Sequence, residues 1–543
     1  MNAGAHRRWD RETAWVAGLA SCASVVSFLV YFRHGELLLF GDAVAHINIA
    51  RRVFDSRTPG PLQLGTVWLP LPHLLMMPFL VSKWAWRTGV GGSIPSMIAY
   101  VLGVVGIFRL VRGGSAFSGR SDSNARLTAW FAAAVYGLNP NLLYLQATAM
   151  TESLYLALFL WAVVHFHEFL ESRGGGEWSA DATRSLRKCG VSLTGACLTR
   201  YDGWFLAAAL AGLVVVIGFG APRQGQRRVL LRFVFLAAAV PLLWFAYNGL
   251  VYRNGFEFAN GPYSARAIEK KTAVPGFPPH PGTGNPPLAA LYFLKAGAFG
   301  VAEGNWQPVW LLLAVLGSFA VALYERRLAP ILLLWLPVLF YTLSVAYGGV
   351  PIFTPAWWPH SLYNLRYGVQ LLPALAVFLA LAASQLASFA RTVAAHRVVA
   401  LLGVGLVTAS YASVWRAAPG CFREAWVNSR TRLPLEAELA EKLKQLPSES
   451  SFLMYLGEHV GALQDASIPL RRSINEGNHR VWKQPSDPEG LWERALADPA
   501  RYSDFVVASQ GDAVWQAIHP RNLPVLAKIE VEGQRPVTIY RAR

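Results

Sequence analysis

The sequence predicts a mainly α, polytopic membrane protein. It would have about eleven transmembrane helices, interfacial helices in the first outer loop and a small C-terminal α/β soluble domain. Three observations predict this. Only 15% of the 543 residues are charged and 54% are apolar, whereas soluble domains carry about a quarter charged residues. Apolar runs at 14–32, 127–147 and 369–389 approach or exceed the ~20 residues needed to cross a bilayer. From about Pro419 onward, charges become frequent and apolar runs shorten to strand length. The expected division is a membrane part, 1–417, followed by a soluble part, 418–543.

The net charge is +17. Most basic residues sit in short loops between spans, where they set orientation, so nucleic acid is not the expected partner. The four cysteines show no CxxC or Cys/His spacing, which argues against a disulfide framework. The first apolar run continues well past Cys22, as an uncleaved span does and a signal peptide does not.

The positive-inside rule gives one consistent path. Arg7, Arg8 and Arg11 hold the N-terminus in the cytoplasm, and span one, about 13–32, exits. The segment 68–83 is apolar but short and proline-broken, so it is placed in the outer interface. Spans follow at about 94–110, 126–147 and 153–170. A helical hairpin covers 189–219, with its tip at Thr199–Gly203. Further spans are expected at 233–250, 306–324, 329–347, 367–389 and 397–416. Arg112, Arg120, Arg184, Arg187, Arg223, Arg228, Arg326, Arg327, Arg391 and Arg397 then lie inside. The C-terminus lies outside, with strands expected at 452–456, 504–508, 525–529 and 537–540.

The outer loops hold the candidate chemistry. In Gly41-Asp42-Ala43-Val44-Ala45-His46, Asp42 and His46 share a face of an amphipathic helix over 42–54. Asp42 is a candidate general base or, in the plainer reading, a helix cap. Arg51, Arg52 and Asp55 follow, then Trp68-Leu69-Pro70-Leu71-Pro72-His73. Glu152 stands at the outer end of the third span, where a carboxylate facing lipid is costly. It could join Asp42 in holding an acceptor or a divalent cation, or cap the fourth span. Arg200, Tyr201 and Asp202 sit at the hairpin tip and must be solvated, paired or turned to a cavity. Arg366-Tyr367 opens the tenth span, where a guanidinium suits a phosphate at headgroup depth; a snorkelling Arg beside a belt Tyr is the alternative. Tyr263 and Arg266 lie in a Gly/Pro-containing loop that could act as a mobile lid. His46, His73 and His360 show no spacing that argues for zinc.

This ordered set resembles the GT-C-fold glycosyltransferases, above all the bacterial protein O-mannosyltransferase and aminoarabinose transferase superfamily, over roughly residues 13–390. Asp42 takes the place of the family's first-loop catalytic acid, although Asp42-Ala43 stands where many relatives have Asp-Glu. Glu152 falls where relatives carry an acid after the third span. Arg200 matches a basic residue before Gly more loosely, because Tyr201-Asp202 intervene. Arg366-Tyr367 with Leu371-Leu372-Pro373 resembles the late basic-aromatic-proline segment. The resemblance implies transfer of a sugar from a polyprenyl-phosphate donor to an acceptor hydroxyl of a glycan, lipid or protein, with inversion, at the outer face of the inner (plasma) membrane. Asp42 would take the acceptor's proton, Glu152 would help hold acceptor or metal, and Arg366, with Arg200 or Arg266, would neutralise the leaving phosphate. His46, Arg51, Tyr201, Asp202, Tyr263 and Tyr367 complete the expected substrate site. The cofactor is open, a divalent cation being one candidate. Membrane lipids are expected partners. The rival reading is a lipid or sugar transporter or flippase, which calls for charges in mid-span and paired, broken halves.

Overall fold

The computed structural model describes residues 10–117, 122–173, 178–219, 224–272, 276–324, 326–389, 392–479 and 489–543. Arg7, Arg8, Arg120, Arg223 and Arg391, used in the expected threading, lie outside them. The helices of the membrane part are α1 (Arg11–Arg33), α2 (Gly41–Arg52), α3 (Leu71–Met76), α4 (Lys83–Thr88), α5 (Val90–Phe117), α6 (Asp122–Gly137), α7 (Pro140–Gln146), α8 (Glu152–Ser172), α9 (Ala180–Cys197), α10 (Asp202–Phe219), α11 (Gln224–Val251), α12 (Glu257–Asn260), α13 (Ala265–Thr272), α14 (Pro286–Phe299), α15 (Trp306–Tyr324), α16 (Leu336–Tyr347), α17 (Leu372–Phe389) and α18 (Val393–Ala417). Short 3-10 turns cover Met77–Leu80 after α3, Arg326–Trp335 before α16 and Leu365–Leu371 before α17.

Among the described residues, nine helices are long and apolar enough to cross a membrane. The chain is a polytopic, mainly α membrane protein. Two expected spans differ from a plain apolar helix. The third, 126–147, is broken: Asn139 accepts from Leu142 N at 3.0 Å and starts a new helix. Pro140 occupies its first turn, where its missing N–H costs nothing. The first arm of the hairpin begins at Ala180 and is amphipathic, with Arg184, Arg187 and Lys188 along it. The segment placed in the interface forms a helical piece of ten residues, Leu71–Leu80, too short to span.

Two helices form the middle of the bundle. On α17, every residue from Leu372 to Ala382 is buried, and most of α8 is buried too. A helix apolar all round belongs in the interior. α5 packs on α1, α6 and α8, α8 also on α9, and α15 on α17. The ends of α8 and α17 therefore stand on the least deformable part of the fold. Backbones approach closely there. A Cβ on Gly368, just past Arg366, would collide with the backbone of Ala296 on α14.

At the opposite end of the bundle the basic residues are partly neutralised. Arg112 pairs with Asp10 at 2.5 Å and Glu12 at 3.1 Å, and Arg109 with Glu168 at 2.6 Å.

The C-terminal part begins with α19 (Gly420–Ser429) and α20 (Arg432–Lys444). It continues through β1 (Phe452–Met454), α21 (Leu456–Asp465), β2 (Ser473–Ile474), α22 (Leu491–Ala497), α23 (Pro499–Tyr502), β3 (Phe505–Ser509), α24 (Ala513–Ile518), β4 (Val525–Ile529) and β5 (Val537–Arg541). The strand order is β2-β1-β3-β5-β4. β1 is parallel to both its neighbours, and β5 is antiparallel to both of its own. The four expected strands are present; the two-residue β2 is too short for an alternation to show.

This part is fastened to α2. Asn48 donates to Gln464 on α21 at 2.7 Å and accepts from Trp86 Nε1 at 3.0 Å, while Gln464 donates to Trp86 O at 2.7 Å. Arg432 donates to Leu38 O and Leu39 O at 2.8 and 3.0 Å. Buried polar groups closed in a ring hold a fixed geometry.

Gly368→Ala should destabilise the protein by about 1–3 kcal/mol, the usual cost of overpacking. Gly212→Ala on α10, where a Cβ meets nothing within 4 Å, should be neutral or stabilising by up to ~1 kcal/mol. Thermal unfolding of the two variants in detergent measures the difference.

Candidate active site

Asp42 lies in the first turn of α2, but it is not the cap. Phe40 holds that position, and no side chain caps the helix. The Asp42 carboxylate instead meets the guanidinium of Arg366, with Nη2 to Oδ2 at 2.5 Å. The 3-10 turn Leu365–Leu371 presents that guanidinium. Arg366 is buried, whereas the Asp42 side chain keeps 41% of its surface exposed. A buried guanidinium must have its charge met. Glu424 on α19 meets it most fully: its carboxylate accepts from Arg366 Nη1 at 2.8 Å, from Arg366 N at 3.1 Å and from Asn364 N at 2.9 Å. Glu152 lies 3.6 Å from Nε. The rings of Phe40 and Tyr367 cover the guanidinium at 5.3 and 4.9 Å, a cation–π arrangement that suits a desolvated Arg.

A second guanidinium adjoins the first. Arg200, in the turn between α9 and α10, donates to Thr151 Oγ1 at 3.0 Å, Tyr341 OH at 2.8 Å and Glu152 Oε1 at 3.3 Å. Its Nε is 3.5 Å from Asp202, and Tyr341 OH donates to Asp202 at 3.3 Å. Tyr367 lies under Arg200 as well, at 5.1 Å. Glu152 thus stands between the two arginines and is itself buried. The structure brings together Asp42, Glu152, Arg200, Asp202, Arg366 and Tyr367. It adds Glu424 and Tyr341.

Glu424 escaped the sequence reading because it lies beyond the expected boundary at 417/418. Its signal was the one that singled out Glu152: an acid beside apolar residues at the end of a span needs a partner.

His46 sits one turn past Asp42 and is buried. Its Nδ1 is 3.0 Å from His73 Nε2, and its ring lies 4.4 Å from that of Trp68. Burial pushes the His46 pKa down to about 3, with Arg200 and Arg366 adding to the shift. His73 is lowered well below its ordinary value, first by burial and then by His46 and Arg52. Both imidazoles are neutral, so one ring nitrogen donates to the other.

The remaining candidates lie apart. Arg51 pairs with Asp55 at 2.9 Å and donates to Leu80 O, clamping α2 to the turn after α3. Tyr201 donates to Val67 O at 2.9 Å and stacks on Phe258, bracing the first loop. Arg266 donates to Tyr347 O at 2.9 Å, at the end of α16. Tyr263 is half-exposed, facing Arg52 and Glu476. Among the described residues, no group of three His, Cys, Asp or Glu side chains could hold a metal ion. Asp42 and Glu152, the expected cation ligands, both face Arg366, whose guanidinium fills the place between them.

No described protein family and no curated protein matches the chain. Among solved structures, ArnT from Cupriavidus metallidurans is similar over nearly its whole length. In the apo state it aligns with a TM-score of 0.56 at 14% identity, covering 98% of each chain. Bound to undecaprenyl phosphate it aligns with a TM-score of 0.54 at 14% identity, covering 97% of this chain and 98% of that one. The oligosaccharyltransferase AglB from Archaeoglobus fulgidus, in complex with an inhibitory peptide and a dolichol-phosphate, aligns at 0.47 and 11% identity, over 92% of this chain and 69% of that one. The likeness to ArnT establishes the GT-C fold.

Glu424→Ala strands a buried guanidinium and two backbone N–H groups, and should cost about 3–5 kcal/mol. Glu424→Gln keeps an acceptor and should cost less, as unfolding in detergent would show. Because the His46 pKa is depressed in the folded state to about 3, the unfolded chain binds the extra proton first. The share of stability that His46 contributes is therefore whole above about pH 6.5 and is lost as pH falls toward 3, by at most about 1.4 kcal/mol per pH unit, and His73, lowered as well, acts in the same direction. Melting curves between pH 7 and 4.5 should show the decline, and His46→Gln should make it shallower.

Proposed function

We propose that this protein is a membrane glycosyltransferase that moves a sugar from a polyprenyl-phosphate donor to an acceptor hydroxyl, with inversion. The observation that carries the reading is the state of Asp42. It is the one carboxylate of the cluster with substantial exposure, while Glu152, Asp202 and Glu424 are buried. A carboxylate held by a braced guanidinium and open on its other side is arranged to receive a proton from a bound hydroxyl. The GT-C fold shared with ArnT, which has been solved with undecaprenyl phosphate bound, supports a lipid-phosphate donor.

In the proposed reaction the acceptor oxygen gives its proton to Asp42 and forms a bond to the anomeric carbon. The bond from that carbon to the phosphate oxygen breaks, and its electron pair leaves with the phosphate. Phosphate is a good leaving group, so positioning and charge stabilisation matter more than acid catalysis. Arg366 fixes the rotamer of Asp42, and Glu424 fixes Arg366. Glu152 serves the site by holding both arginines. In this reading the basic end of the bundle faces the cytoplasm, as the positive-inside rule favours, and Asp42 and the C-terminal part lie on the outer side of the inner membrane. The acceptor is a glycan, a lipid or a protein hydroxyl.

Asp42→Asn tests the reading. The amide keeps the shape but cannot take the proton, so transfer should fall by about 10²-fold or more, while the variant inserts and melts like the native protein. Envelope glycans and lipid-linked sugar pools measured by mass spectrometry in a deletion strain, complemented by either form, give the readout. Full complementation by Asp42→Asn would remove Asp42 from the chemistry. Movement of a lipid-linked substrate with no glycosyl product would favour a transporter.

A further inference from the structure

A hollow of about 440 Å³ opens on the membrane part, lined by Arg228, Leu231, Arg232, Phe235 and Leu236. All five belong to α11 and recur at helical spacing, so they share one face of that helix. All five are exposed. The hollow lies far from Asp42. At the other end of α11, Tyr247 donates to Gly65 O and Asn248 meets Thr66, both in the first loop. The twenty residues between Arg228 and Asn248 span about 30 Å along the axis. The hollow therefore belongs to the end of the bundle that carries Arg109 and Arg112.

Its charge is not met by protein. Acids at that end are engaged elsewhere: Asp10 and Glu12 on Arg112, Glu168 on Arg109 and Asp181 on Arg184. Among the described residues, neither Arg228 nor Arg232 makes a salt bridge or a hydrogen bond. A guanidinium on a lipid-facing helix is costly without a counter-charge. Snorkelling toward water relieves one such Arg, but two of them one turn apart, lining one hollow, can share a single phosphate. The rest of the lining is apolar, and Phe235 and Leu236 continue it one turn deeper into the membrane. Leu236 closes the side toward α9, where a Cβ on Gly190 would lie 3.5 Å from its Cδ1. Arg187 and Lys188, exposed on α9 within one turn of Gly190, add to the positive field.

We propose that this face of α11 binds an anionic phospholipid of the leaflet opposite Asp42, with its phosphate between Arg228 and Arg232 and an acyl chain along Leu231, Phe235 and Leu236. The order of the groups matches such a lipid. Arg228 and Phe235 are separated by about 10 Å along the axis, which sets cations at headgroup depth and apolar side chains at the level where acyl chains begin. A zwitterionic lipid would bring its own cation against the two arginines, and a free phosphate would leave the apolar lining unfilled. The site stands apart from the glycosyltransferase reading and does not depend on it.

Native mass spectrometry of the purified full-length protein, titrated with dioleoyl-phosphatidylglycerol and with dioleoyl-phosphatidylcholine, tests the assignment. The native protein should bind the anionic lipid about tenfold more tightly or better. Arg228→Gln combined with Arg232→Gln should abolish that preference, and the paired Lys replacements should keep part of it, because the charge stays while the fork is lost. Arg397→Gln, at an exposed arginine on α18 at the same end of the bundle, is the control and should leave the preference as it is. Inorganic phosphate should not displace the lipid. Equal binding of the two lipids by the native protein, a preference retained by the double Gln variant, an equal loss in Arg397→Gln, or displacement by inorganic phosphate would each overturn the proposal. If the double variant does not insert, the single Gln variants decide, each with an expected loss of about threefold.

Discussion

The structure turns on the need to satisfy two guanidinium groups withdrawn from water, one buried and one largely so. Arg200 and Arg366 lie beside four carboxylates, those of Asp42, Glu152, Asp202 and Glu424. A charge moved out of water is stable only with partners in good geometry. Those partners come from the starts of α2, α8 and α10 and from the middle of α19, and the arginines come from two turns. The network therefore ties the helix ends to one another, because a shift of any one of them would strand a charge. The buried helices α8 and α17 supply the fixed reference.

Within this network the acids divide by exposure. Glu152, Asp202 and Glu424 are enclosed and act on the arginines. Asp42 keeps an open side and is oriented by Arg366 from the other. A carboxylate with one face pinned and one face free loses little on binding a hydroxyl, since the reorganisation has been done in folding. The histidine pair beneath it is neutral because burial and two nearby arginines disfavour a further positive charge. It fills space and carries a hydrogen bond without adding to the field.

The C-terminal part takes a share in the same geometry. Glu424, on its first helix, holds Arg366. Gln464 and Arg432 fasten α21 and α20 to α2 and to the chain before it. Gln63 donates to Gly477 O at 2.8 Å across the same boundary. The segment that looked like an appendage is joined to the first loop by hydrogen bonds that are wholly or partly enclosed, and enclosed hydrogen bonds are the ones that specify position.

The sequence by itself determined the membrane class, nearly all the spans, the interfacial helices and four of the five strands. Apolar length and alternation are local properties, set by bilayer thickness and by backbone periodicity. It also singled out Asp42, Glu152, Arg200, Asp202 and Arg366, because an ionisable group at a span end must have a reason to be there. Only the tertiary structure decided their partners. Asp42 and Arg366 meet across 324 residues, and Arg366 and Glu424 across a boundary drawn from composition. It also separated Arg51, bound to Asp55, from Arg52, which faces Glu476. Two adjacent arginines on one helix face different neighbours, and which neighbour each finds depends on distant segments packed around that helix, about which local pattern carries no information.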